Sequence, residues 1–66
     1  MLIRINGKES EILDGVSIQG LISSKKLQRD AIIIELNGTV IVPELWESTK
    51  LNHKDSLEIV RILGGG

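Results

Sequence analysis

The sequence predicts an α+β domain in which one helix packs on one face of a sheet of about four to five strands. Ile, Leu and Val make up 24 of the 66 residues. This share is far above the roughly 20% below which chains tend to stay disordered, so a packed core is expected. The strand-like segments come in pairs joined by Asn-Gly dipeptides, with one short amphipathic segment between the pairs. These observations predict the order ββαββ, with a helical turn before the final strand.

The first pair of strands begins the chain. Residues 1–5 alternate, with Arg4 out of phase with its aliphatic neighbours, which is typical of a strand with one buried face. Asn6-Gly7 follows, and this dipeptide is favoured in tight hairpins because both residues tolerate positive φ. We expect a return strand over about Lys8 to Leu13, closed by Asp14-Gly15.

A single helix is predicted from about Ile18 to Lys26. The Ser17 side chain is placed to cap it by accepting a hydrogen bond from a free amide of the first turn. Three aliphatic residues fall on one side of this helix: Ile18, Leu21 and Ile22. Gly20 costs about 1 kcal/mol relative to alanine, so tertiary packing must hold the helix in place.

The second hairpin follows the helix. Ala31 to Leu36 is rich in β-branched residues and ends at Asn37-Gly38, after which Thr39 to Val42 returns as a shorter strand. Pro43 lacks an amide proton and cannot continue a ladder. Residues 43–47 are therefore expected to form a helical turn that begins at the proline.

The last strand is predicted over Ser56 to Leu63, after a polar turn at residues 52–55. It runs directly into Gly64-Gly65-Gly66. We expect residues 1–63 to form one domain and residues 64–66 to be a flexible tail. Glycine has no Cβ, so such a tail can enter a narrow channel of a partner and bring its carboxylate close to the partner's catalytic groups.

Alternation also predicts which side chains stay on the face that the helix does not cover. Arg4, Glu35 and Glu58 mark the outward phase. Four aliphatic residues share that phase: Leu2, Ile33, Val60 and Ile62. Six others are expected to point to the helix and the core: Ile3, Ile5, Ile32, Ile34, Leu57 and Ile59. Parity sends Arg61 inward, so we expect it to lie past the end of the core. A contiguous patch beside the terminus would be a docking surface, unless the twist of the strands covers part of it.

Composition excludes several classes of function. The chain has no cysteine, so it has no disulfide, thiolate metal site or cysteine nucleophile. The formal net charge is −1 with acids and bases mixed, which disfavours nucleic acid as a partner. There is no apolar stretch of about 18 residues and no secretory leader, so neither a membrane partner nor secretion is expected. We expect a cytoplasmic protein that is a monomer when free.

Few residues suggest catalysis. His53 lies in a polar turn without an evident nucleophile, so it is interpreted as a solvated residue rather than a base. Trp46 is interpreted as core rather than as a ligand platform. Lys25-Lys26, with Arg29 and Asp30 after them, is interpreted as a solvated face, although it could steer an acidic partner. No paired carboxylates, phosphate loop or metal-ligand cluster occurs, which argues against an enzyme or a metal site.

Two segments carry a family resemblance. One is the run from Asn37 to Trp46, in which Val-Pro is followed three residues later by Trp, and the other is the run from Asp55 to Val60 before the terminal glycines. Together they resemble the sulfur carriers of thiamine biosynthesis, the ThiS family. The resemblance covers essentially the whole chain and implies a β-grasp, or ubiquitin-like, fold with a mixed sheet. This chain departs from the family pattern in having three glycines rather than two, and Glu44 where a basic residue is common.

The resemblance implies a carrier rather than a catalyst. An adenylating enzyme similar to ubiquitin-activating enzymes would use ATP and magnesium on the Gly66 carboxylate. A cysteine desulfurase persulfide would then supply sulfur for a thiocarboxylate, which a thiazole synthase would consume. The carrier itself binds no cofactor. Gly65 takes the reactive role if the natural chain ends one residue earlier, and Leu63 and Gly64 join the outward patch as expected partner contacts.

Other functions stay open at this point. Carriers for molybdopterin, tRNA thiolation or cysteine synthesis share the terminal glycines, and conjugation to lysines uses the same activated glycine. A β-grasp interaction module similar to TGS domains would need no activation, and its glycines would be only a linker.

Overall fold

The computed structural model describes residues 1–62. Within this range one α helix packs on a mixed sheet of five strands, which confirms the predicted α+β class. The order is ββαβββ, since both strands of the second hairpin and the last strand follow the helix. The strands are β1 (Leu2–Ile5), β2 (Lys8–Glu11), β3 (Ile32–Leu36), β4 (Thr39–Ile41) and β5 (Ser56–Arg61), and the helix is α1 (Ile18–Ser24). Two short 3-10 turns, Arg29–Ala31 and Pro43–Leu45, complete the described elements.

The last strand lies at the centre of the sheet. The strand order is β2-β1-β5-β3-β4. β5 runs parallel to β1 and antiparallel to β3, and the two hairpins lie on either side of it. β5 is therefore paired on both sides, although it is the last strand in the sequence.

Both Asn-Gly turns adopt the conformation that the sequence predicts. Asn6 and Gly7 have φ values of 51° and 82°, and Asn37 and Gly38 have 51° and 87°. Positive φ at both central residues matches the twist of a two-residue hairpin. These turns set the register of the two hairpins.

The helix is shorter than predicted. Ser17 caps it, since its hydroxyl accepts the amide of Gly20 at 3.0 Å, but α1 ends at Ser24 rather than at Lys26. The reason is local: Lys26 has φ 56°, a left-handed conformation that stops helical hydrogen bonding. Gly20 has a packing role, because a Cβ there would lie only 3.0 Å from Cγ2 of Val16.

Other boundaries also differ from the prediction. β3 begins at Ile32 rather than at Ala31, because Ala31 belongs to the 3-10 turn before it. β5 ends at Arg61, short of the predicted Leu63, which lies outside the described residues.

β2 ends at Glu11 rather than at Leu13, because Glu11 lies opposite Leu2, where β1 begins. Ile12 pairs with Met1 outside both strands, and no residue of β1 lies opposite Leu13. β4 ends at Ile41 rather than at Val42, whose carbonyl instead accepts the Leu45 amide of the proline turn. That turn stops at Leu45 rather than at residue 47, and the 3-10 turn before β3 was not predicted.

The core lies between α1 and the inner face of the sheet. Trp46 is completely buried, and its Nε1 donates to the Ile41 carbonyl at 2.7 Å, so its interpretation as a core residue is confirmed. Among the described residues the buried side chains are Ile3, Ile18, Leu21, Ile22, Ile32, Ile34, Trp46, Leu51 and Leu57. The other two residues predicted to point inward, Ile5 and Ile59, pack partly buried against this cluster.

Candidate functional site: the exit of the central strand and the open face of the sheet

β5 carries the chain to the end of the described residues. The Ile62 amide donates to the Ala31 carbonyl at 2.8 Å, one step beyond the pairing of Arg61 with Ile32. Arg61 is exposed, but β5 still pairs with β3 at this residue, opposite the buried Ile32, so the expectation that Arg61 lies past the end of the core is wrong. Leu63 and the predicted tail, Gly64 to Gly66, lie outside the described residues, so their roles stay predictions.

Asn6 extends the hydrogen bonding of β5 on the side where β1 has ended. Its Oδ1 accepts the Ile59 amide at 2.7 Å, and its Nδ2 donates to the Ile59 carbonyl at 3.2 Å. The side chain thus takes the place of one residue of a neighbouring strand. It holds β5 two residues beyond the last β1 pair, Ile5 with Leu57.

Asn37 holds the other end of the same strand. Its Oδ1 accepts the Ser56 amide at 2.9 Å, its own amide donates to the Ser56 carbonyl at 2.8 Å, and its Nδ2 donates to Asp55 at 3.0 Å. Sequence reasoning missed this second role of the two turn asparagines. The available signal was the choice of Asn at both turns, where glycine would also meet the backbone requirement but offers no side-chain bonds.

The open face of the sheet carries the predicted outward residues, but not as one patch. Ile33 lies directly opposite Val60, and Ile62 follows on the same side of β5; each of these three is about half exposed. Leu2 is equally exposed, yet its carbonyl accepts the amide of Lys54 at 2.7 Å, before β5 begins.

Register places Leu2 at the opposite end of the sheet. Arg4 pairs with Ser56, so Leu2 lies two positions before this level and Val60 four positions after it. Six positions correspond to about 20 Å at roughly 3.3 Å per residue. The structure therefore brings Ile33, Val60 and Ile62 together near the exit of β5 and separates Leu2 from them.

Charge on the open face is acidic beside this aliphatic cluster. Glu35 lies directly opposite Glu58, next to the pair formed by Ile33 and Val60. Like charges placed opposite each other are destabilising. A partner surface with apolar and basic groups would complement this face.

The inner side of the exit is basic. A shallow depression of about 420 Å³ adjoins the end of the described chain. Its lining residues are Lys26, Leu27, Gln28, Ala31, Ile32, Arg61 and Ile62. The exit of β5 thus lies between an acidic outer face and two cationic side chains, Lys26 and Arg61.

The remaining candidates take structural or solvated positions. His53 is exposed in its turn, as expected, and its Nδ1 accepts the Leu2 amide at 3.1 Å. The segment that was interpreted as a solvated face is exposed: Lys25, Lys26, Arg29 and Asp30. The Arg29 guanidinium lies 6.0 Å from the centre of the Trp46 ring, the outer limit for a cation–π contact. In residues 1–62 no helix is long and apolar enough to cross a bilayer.

Comparison with known proteins agrees with this architecture. The fold defined by the sheet order and the single helix is the β-grasp. The profile of the ThiS family matches residues 3–66. The crystal structure of thiamine biosynthesis protein ThiS from Geobacter metallireducens superposes with a TM-score of 0.87 at 30% identity and covers both chains completely.

Two relatives by sequence show the spread of the similarity. The sulfur carrier protein ThiS of Bacillus subtilis is 33% identical over 66 residues, covering 98% of this chain and 100% of its own length. The uncharacterised protein ycf40 of Porphyra purpurea is 36% identical over 64 residues, covering 97% of this chain and 90% of its own length. The chain belongs to the ThiS family, whose members are small sulfur carriers rather than catalysts.

Proposed function

We propose that this protein carries sulfur for the thiazole ring of thiamine as a thiocarboxylate on its C-terminal glycine. Gly66 provides the carboxylate, Gly65 and Gly64 provide the narrow backbone that the activating enzyme must enclose, and Leu63 is the pivot between body and tail. The observation that carries the proposal is the central position of β5, which is held by Asn6 and Asn37 and is the last described element before these residues in the sequence. Membership of the ThiS family supports it.

The chemistry needs activation because a carboxylate is a poor acyl donor. A partner adenylating enzyme joins the Gly66 carboxylate to AMP, using magnesium-bound ATP and releasing pyrophosphate. The terminal sulfur of a desulfurase-derived persulfide attacks the acyl carbon, and AMP leaves. A donor thiol then cleaves the sulfur–sulfur bond, which leaves a thiocarboxylate on the carrier and a disulfide on the donor.

The carrier contributes position rather than catalysis. Orientation of reacting groups is among the larger sources of enzymatic rate, and here the rigid body presents the tail to enzymes that supply the chemistry. The cluster of Ile33, Val60 and Ile62 is the proposed docking surface for the adenylating enzyme and the thiazole synthase. Leu2, at the far end of the open face, is proposed as a secondary contact. Because activation uses ATP, we expect this cycle to take place in the cytoplasm.

Intact-mass spectrometry tests the first half of the cycle. The chain is incubated with an adenylating enzyme of the thiamine pathway, ATP, magnesium and a persulfide donor. We expect one terminal oxygen to be replaced by sulfur, and we expect the Gly65→Val variant to stay unmodified while remaining folded. An unmodified wild-type mass with partners that are active on another carrier would contradict the proposal.

The acceptor separates this proposal from its nearest alternatives. Molybdopterin, tRNA and cysteine-synthesis carriers would accept the same activation, so the purified thiocarboxylate must be offered to each acceptor enzyme. Conjugation to lysines would appear as isopeptide-linked adducts instead. An interaction module would give no modified species at all.

A further inference from the structure

A second concavity lies on the helix side of the sheet, on the hairpin that does not lead to the tail. It measures about 840 Å³, within the range of known ligand sites. Its apolar lining comes from Met1, Ile5, Ile12, Leu13, Val16 and Leu21. Leu13 at its rim is 80% exposed, against 42–57% for the other exposed large aliphatic side chains of residues 1–62. This exposure has no explanation in the packing of the isolated chain.

The wall of this groove opposite the helix is an edge strand with free backbone groups. Met1 and Ile12 each donate to the other's carbonyl, so they form a hydrogen-bonded pair. Hydrogen-bonded and non-hydrogen-bonded pairs alternate along an antiparallel ladder. The pair of Leu2 with Glu11 and the pair of Arg4 with Glu9 are therefore non-hydrogen-bonded pairs. The amides and carbonyls of Glu9 and Glu11 therefore point away from β1. They offer two donors and two acceptors to an added strand.

Charge selects the kind of strand that fits. The side chains of Glu9 and Glu11 share the phase of their partners on the open face, whereas Ser10 and Ile12 share the phase of the groove. A residue added opposite each glutamate would place its side chain beside a carboxylate. A residue added between them would enter the groove, where the apolar lining favours an aliphatic side chain and where Glu11, Asp14 and Lys25 are the charged lining residues.

The same charges disfavour a second copy of this chain as the occupant. Antiparallel pairing of two β2 strands about Ser10 places each Glu9 opposite the other copy's Glu11. Like charges in directly opposite positions repel. Glu9 and Glu11 thus protect this edge against self-association, while a strand with basic residues opposite them can still pair.

We propose that the edge of β2 and the groove beside α1 bind an extended segment of another protein, in which Lys or Arg alternates with aliphatic residues. The segment adds a sixth strand to the sheet. Its basic side chains lie beside Glu9 and Glu11, and its aliphatic side chains contact Ile12, Val16 and Leu13. Backbone pairing with pockets for alternate side chains is an established mode of peptide recognition. The proposal is independent of the sulfur chemistry at the C-terminus.

A capped heptapeptide of alternating Lys and Val is the probe, titrated into the full ¹⁵N-labelled chain and followed by amide chemical shifts. We expect the largest changes at Glu9, Glu11 and the residues of α1. A peptide with Glu in place of Lys tests the charges, and a peptide N-methylated at the amides facing β2 tests the backbone pairing. Both are expected to bind at least about fivefold more weakly.

Matched protein variants separate the site from net charge. The double variant Glu9→Lys, Glu11→Lys should lose affinity for the Lys peptide and gain affinity for the Glu peptide. The variant Glu44→Lys, Glu47→Lys makes the same change in net charge elsewhere and should bind as the wild type does; the amide spectra show that each variant is folded. Three results would each overturn the proposal. They are largest chemical-shift changes at Ile33, Val60 or β4, equal binding of the N-methylated peptide, and shifts at Glu9 that depend on protein concentration without peptide.

Discussion

Ile33 and Ile34 are chemically identical neighbours in β3, yet they have opposite fates. Ile34 is completely buried beneath α1, whereas Ile33 is 42% exposed on the open face. The same contrast holds along β5, where Leu57 is buried and Val60 is about half exposed. In a domain of 66 residues, leaving aliphatic area uncovered gives up stability that a small core can hardly spare.

The two faces of the sheet therefore differ in what their side chains do. The inner face buries the aliphatic residues and Trp46 that hold the fold together. The open face keeps an aliphatic cluster and an unfavourable pair of glutamates beside the exit of β5. This difference is the one we expect if the inner face is shaped by folding and the outer face, as proposed, by docking of partners.

The largest effect should come from Ile34→Ala. Truncating a fully buried isoleucine costs about 2–5 kcal/mol of unfolding free energy, a large share of the stability of so small a domain. Urea denaturation measures it. Where the alanine variant does not fold, Ile34→Val should cost about 0.5–1.5 kcal/mol. A loss no greater than that of the matched change at Ile33 would erase the distinction between the faces.

The matched variant, Ile33→Ala, should cost about 1 kcal/mol or less, because its side chain is only partly removed from water on folding. Its effect should appear instead in the rate of thiocarboxylate formation with the adenylating enzyme at limiting carrier concentration. A normal rate in this variant and in Val60→Ala would remove the docking role from the open face.

Asn6→Gly tests how much the Asn6 side chain contributes to holding β5, the strand that carries residues of both faces. Glycine keeps the positive φ of the turn but removes both side-chain bonds to Ile59, a loss of about 1 kcal/mol. Hydrogen exchange should speed up at the Ile59 amide in this variant, and at the Ser56 amide in the matched variant Asn37→Gly. Unchanged exchange at Ile59 would show that the core alone holds this part of β5.

The smallest effect should come from Glu58→Lys, and it should be stabilising. The change replaces a like-charge pair with Glu35 by an opposite-charge pair, worth about 0.2–1 kcal/mol, and added salt should reduce the gain. Urea denaturation at low and high salt measures it. A destabilised variant would mean that the glutamate pair is not the strained feature of this face.

Local rules predicted most of the fold. Asn-Gly dipeptides, the Ser17 cap and strand parity placed the turns, the helix start and the inward and outward residues as they are found. The end of the helix was wrong, because the left-handed Lys26 carries no signal in its residue type. The length of β2 depended on which residues of β1 lie opposite it, and this is a property of the pairing.

The site was less accessible to sequence reasoning. Parity correctly placed Leu2 and Val60 on the same face, but parity contains no information on register between strands. Only the pairing of Arg4 with Ser56 shows that the two side chains lie at opposite ends of the sheet. The Asn6 side chain likewise bonds a residue 53 positions away, which no local pattern predicts.

Transfer of labelled sulfur shows whether this chain is a sulfur carrier for thiazole synthesis. The thiocarboxylate form of this chain, made with ³⁵S, is mixed with thiazole synthase and its other substrates, and label is followed in the thiazole product. We expect label to leave the carrier and enter the thiazole, and we expect the carrier to return to the mass of the free carboxylate. Two results would contradict a role in thiazole synthesis. In the first, label stays on the carrier although the synthase is active on another ThiS protein. In the second, label enters only a molybdopterin, tRNA or cysteine product.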